Sequence, residues 1–421
     1  MNSPRPRFSL LVMSMALLMQ GFGGMAYGEA LSNDERVEER VDDRLEGVLE
    51  VERINESEAK AASAGEEHAE GSGWDLGVVT SATYDDNIFL SAINPEADLV
   101  LRISPRIAYV LGSPEGEEGA YVRFAYQPVG VIFADNGDEN RIDHDVALLA
   151  GVNGEKSSVV LRGRFQRLGD AIADTGSQTD RSEYEAEVRA AYKMTGKTAL
   201  EVAAGIGKVD YDLAGLSGTR QQFGEVAVRF AYSPKTAVTL AYRAGREEVD
   251  GTGDQDIQQV VARIAWKPRQ KISVDLEAGL EHRDFDNGSD NNPVLEMRLG
   301  WEAREGTEVY FTAYRREEVS AFFTGQNYSL TGFSAGVSQR LSDAWVVRLE
   351  GGYEKASYSR VSGVGPAPRE DEILFVRPSL DYELSERFRT TFFYQYSKDK
   401  SNLGAFGYDN HQVGVGAAYD F

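Results

Sequence analysis

Residues 272–281 read ISVDLEAGLE. Every second side chain in this run is apolar, and the side chains between them are polar or glycine. Because successive side chains of a β-strand point to opposite faces, a period of two indicates a strand with one face in an apolar medium and one in water. The same alternation recurs at residues 99–109 and 345–354. Soluble β-sandwiches also alternate, so the period alone does not separate a sandwich from a membrane barrel.

The connections between the strands discriminate better. Short turns, as at residues 153–156, 195–197 and 233–235, alternate along the chain with longer polar links such as 284–291. Successive short turns are roughly 40 residues apart, enough for two membrane-spanning strands of about 12 residues and one loop. We therefore predict an all-β, closed antiparallel transmembrane β-barrel over residues 74–421, with about 18 strands, or about 16. An even strand count predicts that both chain ends lie in the periplasm.

Aromatic residues support a barrel. Next to the short turns, the outward phase carries the kind of aromatic girdle that marks the membrane interface of such proteins. Its members are Trp74, Tyr109, Tyr192, Tyr232, Trp266, Trp301, Trp345, Tyr382 and Phe388. The last strand ends with Tyr419 and Phe421 on one face, which resembles the C-terminal recognition strand of outer-membrane proteins. We therefore expect the barrel assembly machinery to be a partner.

The N-terminal region has a different composition. Residues 1–30 have the form of a secretory signal peptide, because Arg5 and Arg7 precede an apolar run of about twelve residues and small residues follow. That run is too short to span a bilayer as a helix. Residues 31–73 are acidic, with apolar spacing typical of one short amphipathic helix followed by a linker. We expect this periplasmic segment to be either a solvated spacer or a docking or oligomerising helix.

The composition excludes several classes of function. The 421 residues include 68 acidic against 44 basic ones and no cysteine. The net charge of −24 argues against binding to nucleic acid. Without cysteine there is no thiolate metal site and no cysteine nucleophile. The histidines, His68, His144, His282 and His411, show no pairing pattern with serine, so we predict no catalytic residues, no metal site, no cofactor and no enzyme activity.

A short motif after the first strand carries a family resemblance. Tyr84, Asp85, Asp86 and Asn87 are followed by Ile-Phe, then by an aspartate at 98 and Ile-Ser-Pro at 103–105. This pattern resembles the putative β-barrel porin family, whose members often accompany exopolysaccharide operons. The resemblance implies an outer-membrane barrel and the passage of a polysaccharide or another solute.

A barrel of eighteen strands encloses an aqueous channel, so the side chains on the inward phase are expected to line that channel. The lumen-lining candidates are Arg102, Arg106, Arg123, Arg162, Arg164, Arg189, Arg229, Arg263, Arg298, Arg348, Arg377, Glu183, Glu185, Glu277 and Glu350. Either these charges pair across strands and only build the wall, or their segregation creates a transverse field that orients solutes. Candidates for stacking on sugar rings are Tyr310, Tyr314, Phe375 and Phe393, with ordinary wall packing as the alternative.

The predicted function is passive passage of small solutes or of a polysaccharide chain through the outer membrane of a Gram-negative-type cell. The alternative is a non-conducting scaffold or adhesin that binds a partner through its loops or its acidic segment. Expected partners are outer-membrane lipid and lipopolysaccharide, and a polysaccharide or a periplasmic protein; the oligomeric state stays open. Because no connection exceeds about a dozen residues, we expect no long constriction loop folded into the barrel. Either the pore is then wide, or inward arginines and the acidic segment, residues 31–73, restrict it.

Overall fold

The computed structural model describes residues 73–112, 118–175, 177–286, 288–360 and 368–421. The predicted signal peptide and almost all of the predicted acidic segment lie outside these ranges. Within them, no helix has the length and apolar character needed to cross a membrane.

Strands make up most of the described chain. Their bounds are β1 Gly73–Asp85, β2 Asp98–Leu111, β3 Gly119–Phe133, β4 Arg141–Asn153, β5 Ser157–Leu168, β6 Ala171–Ile172, β7 Ser177–Gln178, β8 Arg181–Lys193, β9 Thr198–Tyr211, β10 Thr219–Ser233, β11 Thr236–Val249, β12 Gly253–Arg269, β13 Ile272–Phe285, β14 Gly288–Arg304, β15 Thr307–Val319, β16 Gln326–Arg340, β17 Trp345–Arg360, β18 Glu370–Ser385, β19 Phe388–Ser401 and β20 Tyr408–Asp420. In the described ranges, one 3-10 turn covers Gly137–Glu139. The two-residue strands β6 and β7 pair only with each other, and the other eighteen form one sheet.

The sheet closes on itself. Each of the eighteen strands pairs antiparallel with the next barrel strand along the chain, and β1 pairs with both β2 and β20. The closing seam runs from Gly77 opposite Asp420 to Asp85 opposite Gln412. Closure satisfies the backbone groups that a free edge would expose, which is the condition for strands to cross a bilayer. The predicted closed antiparallel barrel of eighteen strands is confirmed.

The barrel wall has two chemically different faces. On β10, Val226, Val228 and Phe230 are 53%, 46% and 44% exposed, whereas the intervening Ala227 and Arg229 are buried. The same phase difference runs around the wall, where large exposed apolar side chains alternate with buried, mostly polar or small ones. An apolar outer face and a polar inner face are the arrangement that a lipid-embedded barrel requires.

Exposed aromatic residues cluster at the end of the barrel that carries the short turns. Trp74 pairs with Tyr109 in the register of β1 and β2, and their rings are 5.0 Å apart. Trp345 and Tyr382 have the same relationship between β17 and β18, with ring centroids 4.4 Å apart. Such rings suit the headgroup region, because they have an apolar body and a polar tip.

On the inner face, several aromatic rings lie over a glycine of the neighbouring strand. Tyr314 of β15 covers Gly332 of β16, and a Cβ built on that glycine would be 2.7 Å from the ring. The other pairs are Tyr121 over Gly151, Phe223 over Gly205, Tyr310 over Gly336, Phe375 over Gly352 and Phe393 over Gly414. The glycines are required at these places because only a missing side chain leaves room for the ring.

Candidate functional site

A buried carboxylate organises the charges on one side of the lumen. Glu225 is 1% exposed and accepts from Arg263 at 2.8 Å, from Arg243 at 2.8 Å and from Arg189 at 3.4 Å. These three guanidinium groups come from β12, β11 and β8, so four strands contribute to the cluster. Their positive charge lowers the energy of an ionised carboxylate that burial alone would disfavour.

Similar clusters connect other parts of the inner wall. Arg283 lies between Glu247 at 2.9 Å and Glu281 at 2.5 Å. At the closing seam, Arg106 donates to Asp75 at 3.0 Å and to Asp420 at 2.6 Å. The second of these bonds joins residues 314 positions apart, so it ties the last strand to the first ones.

All lumen-lining candidates lie on the phase opposite to the exposed apolar side chains. The structure brings many of them into pairs across or along strands: Arg162 with Glu187, Arg164 with Asp145, Arg181 with Glu183, Arg189 with Glu225, Arg263 with Glu277, Arg298 with Glu296 and Arg348 with Asp381. Such pairing is the wall-building interpretation of the charges. A role for these residues in solute passage stays a prediction.

The four candidate sugar-stacking residues all pack on glycines of the wall. Two of them also have an arginine on the ring: the guanidinium of Arg316 is 4.9 Å from the ring of Tyr314, and that of Arg377 is 4.4 Å from the ring of Phe393. Each of these two rings has a glycine on one face and a guanidinium on the other. Neither ring therefore has a face available for stacking on a sugar. Sugar stacking there would require the arginine to move.

One connection closes the barrel at the end that carries the longer links, which we call the loop end. The crossing segment, residues 169–175 and 177–180, leaves β5 and contacts β17, β18 and the link after β15, which lie on the opposite side of the ring of strands. The sequence predicts no long constriction loop, but this short connection folds inward nonetheless. A dozen residues suffice because β6 and β7 form a small hairpin that carries its tip across the lumen.

The carboxylate of Asp174 anchors the crossing segment. It accepts from the hydroxyl of Tyr358 at 2.8 Å, the hydroxyl of Ser320 at 3.0 Å and the backbone N–H of Ala321 at 2.7 Å. The N–H of Phe322 adds a fourth bond at 3.2 Å. A buried carboxylate with four donors is fully satisfied, so the contact holds the segment without an unpaired charge.

Arg369 forms the second anchor and is 0% exposed. Its guanidinium donates to the carbonyl oxygens of Asp174 at 2.8 Å and Ala173 at 2.7 Å, and it pairs with Asp371 at 2.7 Å. Its carbon lies 3.9 Å from the ring centroid of Phe406. Burial by itself lowers the pKa of this guanidinium, but Tyr358, Asp371 and Asp174 outweigh that effect and raise the pKa above its ordinary value. The anchor is therefore charged at physiological pH.

Further links adjoin the crossing segment and form, together with it, what we call the cover of the loop end. Phe322 and Phe323, in the link after β15, contact the ring of Phe406 at 5.2 and 5.6 Å between centroids. On the other side of the mouth, the backbone N–H of Ser217 donates to the carbonyl of Ala321 at 2.8 Å. Links from several sides thus contact one another and the crossing segment, and together they obstruct the loop end.

The motif that carried the family resemblance lies at the same end. Asp85 accepts from the backbone N–H of Asn87 at 2.9 Å, from Asn410 at 2.6 Å and from Gln412 at 2.8 Å. The side-chain carbonyl of Asn87 accepts from the N–H of Ser91 at 2.8 Å. Asp86 accepts from the backbone N–H of His411 at 2.7 Å, while Tyr84 is exposed on the outer face. The motif therefore fixes the first loop to the closing seam of the barrel.

The described histidines take part in hydrogen bonds between strands. His144 bonds to Tyr126 at 3.0 Å, His411 to Tyr394 at 2.8 Å and His282 to Asn291 at 2.9 Å. His282 also lies 3.3 Å from Asp284, and none of these bonds involves a serine. In the described ranges, no group of three or more histidine, aspartate or glutamate side chains has the geometry of a metal site.

Comparison with known families gives an independent result. The family described as "Putative beta-barrel porin 2" matches residues 291–421. The expected family resemblance is confirmed. The match covers the last strands of the barrel, and with the closed eighteen-strand sheet it identifies a porin-like outer-membrane β-barrel fold.

Solved structures and curated proteins complete the comparison. Pseudomonas aeruginosa OpdK, solved with vanillate, has 10% identity and a TM-score of 0.45, with 83% of this chain and 98% of OpdK covered. Acinetobacter baumannii OccAB3 has 9% identity and a TM-score of 0.46, with 83% and 99% covered. The siderophore receptor PirA from Pseudomonas aeruginosa has 10% identity and a TM-score of 0.42, with 82% and 80% covered. At these identities the likeness concerns the fold alone. No curated protein matches this chain.

Sequence reasoning missed the two anchors of the closed loop end. Asp174 lies in a short polar stretch with a glycine nearby, which is typical of any surface turn. Arg369 follows a proline and precedes a strand, and nothing in its neighbours marks it as buried. Only the pairing of strands around the barrel brings these residues together.

Proposed function

We propose that this protein is a passive outer-membrane channel for small solutes whose loop end is closed by the crossing segment. One observation carries the proposal: a closed eighteen-strand barrel with a charged inner face is obstructed by a connection held through Asp174 and Arg369. A barrel of this size has room for an aqueous pathway when such a segment moves aside. In this proposal the loop end faces outward and both chain ends lie in the periplasm.

The obstruction bears on the class of solute. Below the crossing segment, the lumen holds a cavity of about 220 Å³. That volume is smaller than the roughly 300–1,000 Å³ of pockets for drug-sized ligands, so it favours small solutes over a polymer. Passage of a polysaccharide chain would require the segment and its covering links to be displaced together. Lipopolysaccharide around the rim and the barrel assembly machinery remain proposed partners.

A second function is favoured by the same closure. Links from several sides are joined into one cover, and Phe322 is 41% exposed on it. A non-conducting scaffold or adhesin would use such a cover to bind a partner, with the barrel as its anchor. The two functions differ in whether ions ever cross the protein.

Single-channel recording in planar bilayers separates them. We expect the folded wild-type barrel to show discrete, infrequent openings, because the crossing segment is held by hydrogen bonds and not by covalent links. Heat-modifiable migration in gels would show that the barrel is folded. A folded barrel that shows no current over the whole voltage range would contradict the channel function and support the scaffold function.

A further inference from the structure

A recess in the inner wall lies below the crossing segment. This cavity of about 220 Å³ is lined by residues of β1–β4 and β18–β20. Its lining includes small residues on the closing strands, among them Ser81, Gly416 and Ala418. Its rim carries the long side chains of Arg102 on β2 and Arg389 on β19. The recess exists because the small residues of this lining do not fill it.

The balance of charge in the recess is positive. Four arginines line it, Arg102, Arg141, Arg377 and Arg389, against two carboxylates, Asp85 and Asp170. Both carboxylates have partners outside this set, because Asp85 accepts from the three donors described above and Asp170 pairs with Arg181 at 2.8 Å.

The four arginines differ in their partners: among the described residues, Arg141 and Arg377 have a bonded partner, and Arg102 and Arg389 have none. Arg141 pairs with Asp143 at 3.2 Å, and Arg377 donates to Gln395 at 3.5 Å. By contrast, Arg102 and Arg389 make no hydrogen bond and no ion pair with any side chain in the described part of the chain. A guanidinium presents five N–H donors and no acceptor, so an anion is its natural complement.

Buried donors in the recess lack an acceptor. The Nε2 of Gln395, a residue that is 1% exposed, has no hydrogen-bond partner, and neither has the buried Nε of Arg389. The side-chain oxygen of Gln395 faces Arg377 at 3.5 Å, and Nε2 points away from that guanidinium. Leaving a buried donor unpaired costs about 1–3 kcal/mol, which an oxygen from a bound molecule would recover.

We propose that this recess binds a small solute through an oxyanion group, either a carboxylate or a phosphate, held by Arg102 and Arg389, while Gln395 Nε2, further along β19, donates to a different oxygen of the solute. The inference deepens the proposed function by naming the class of solute, and it rests on that function only for the claim that the solute crosses the membrane. The recess lies directly beneath the crossing segment, whose Ala171 and Gln178 contribute to its lining. A bound solute would therefore lie directly beneath the crossing segment.

Isothermal titration calorimetry on the full barrel in detergent tests the binding. The probes are sodium succinate and sodium phosphate, with succinamide as a neutral molecule of similar shape. We expect at least one anion to bind and succinamide not to bind, and the stronger anion identifies carboxylate or phosphate as the preferred group. Failure of both anions to bind would overturn the inference.

Two variants locate the site. Arg102→Gln with Arg389→Gln removes both cations and should weaken anion binding by at least about tenfold. Gly416→Leu keeps every charge and fills the recess. Its backbone position accepts a Cβ, because the nearest atoms to such a Cβ are Thr80 O at 3.5 Å and Ser81 Cβ at 3.9 Å. It should weaken binding to a similar extent.

The matched control is Arg220→Gln, which removes one exposed arginine that pairs with Glu248 at 3.8 Å. It should bind the anion like the wild type. Unchanged binding in Gly416→Leu would place the site elsewhere and overturn the inference. Single-channel recording keeps the two proposals distinct: a barrel that binds anions but never opens contradicts only the channel, and one that opens without binding anions contradicts only the recess.

Discussion

The guanidinium of Arg369 donates a 2.8 Å hydrogen bond to the backbone carbonyl of Asp174, across 195 positions of sequence and from the opposite side of the barrel. The same arginine reaches the carbonyl of Ala173. Because one planar guanidinium group binds both carbonyls, it fixes the position and the direction of the tip of the crossing segment. Arg369 therefore shares the anchoring of the crossing segment with the carboxylate of Asp174.

Replacing Arg369 by alanine should open the loop end. The substitution removes both bonds to the crossing segment and leaves Asp371 without its cation. We expect a higher open probability and larger conductance steps in planar bilayers. Arg246→Ala is the matched control, because Arg246 is exposed and pairs with exposed Asp256. Equal conductance in wild type and Arg369→Ala would show that this anchor does not close the pathway.

Replacing Gly332 by alanine should destabilise the barrel. A Cβ at this position would lie 2.7 Å from the ring of Tyr314, so the ring must leave its place on the wall. Overpacking of this kind costs about 1–3 kcal/mol. The midpoint of urea unfolding, followed by heat-modifiable migration, measures the effect.

Gly224→Ala provides the control for that substitution. Gly224 lies on the outer phase of β10, and a Cβ there meets no atom within 4 Å. Its midpoint should equal or exceed that of the wild type, since alanine loses less backbone entropy than glycine. A loss of stability in both variants would show that any side chain at a strand glycine is harmful and that the Tyr314 contact is not the cause.

Replacing Glu225 by glutamine should destabilise the wall and shift ion selectivity. The change leaves Arg189, Arg243 and Arg263 around a neutral amide, and breaking a buried ion pair costs about 3–5 kcal/mol. We expect a lower urea midpoint and a reversal potential displaced toward anion permeation under a salt gradient. Glu248→Gln, at an exposed carboxylate, should change neither quantity. Selectivity identical to wild type would mean that ions do not pass near Glu225.

Replacing Asp85 by asparagine should loosen the first loop. Asp85 uses two oxygens to hold three donors, and asparagine offers only one oxygen. Limited proteolysis should cleave residues 86–97 faster in this variant. Asp135→Asn makes the same chemical change at an exposed carboxylate and should leave the cleavage rate unaltered. Equal rates in both variants would argue against Asp85 as the link between this loop and the closing seam.

The sequence predicts the strands of the barrel wall better than the segment and the side-chain contacts inside the barrel. The period of two in residues such as 272–281 and the alternation of turn lengths are local properties, and they suffice for strand number, closure and phase. The ring-over-glycine pairs depend on register, which local pattern sets only in part. The crossing segment depends on contacts such as that between Asp174 and Tyr358, 184 positions apart. A loop length limits how far a connection can reach but not its direction, and so the closed loop end was not predicted.

Reversible locking of the crossing segment tests the account most directly. The protein has no cysteine, so Ala173→Cys with Ile373→Cys introduces the only two thiols, at residues of one buried cluster that joins the segment to β18. A short bis-methanethiosulfonate reagent would bridge them, with each single-cysteine variant as control. In planar bilayers we expect openings from the reduced double variant, silence after bridging and recovery with reductant. Openings of the same size and frequency before and after bridging would contradict the account.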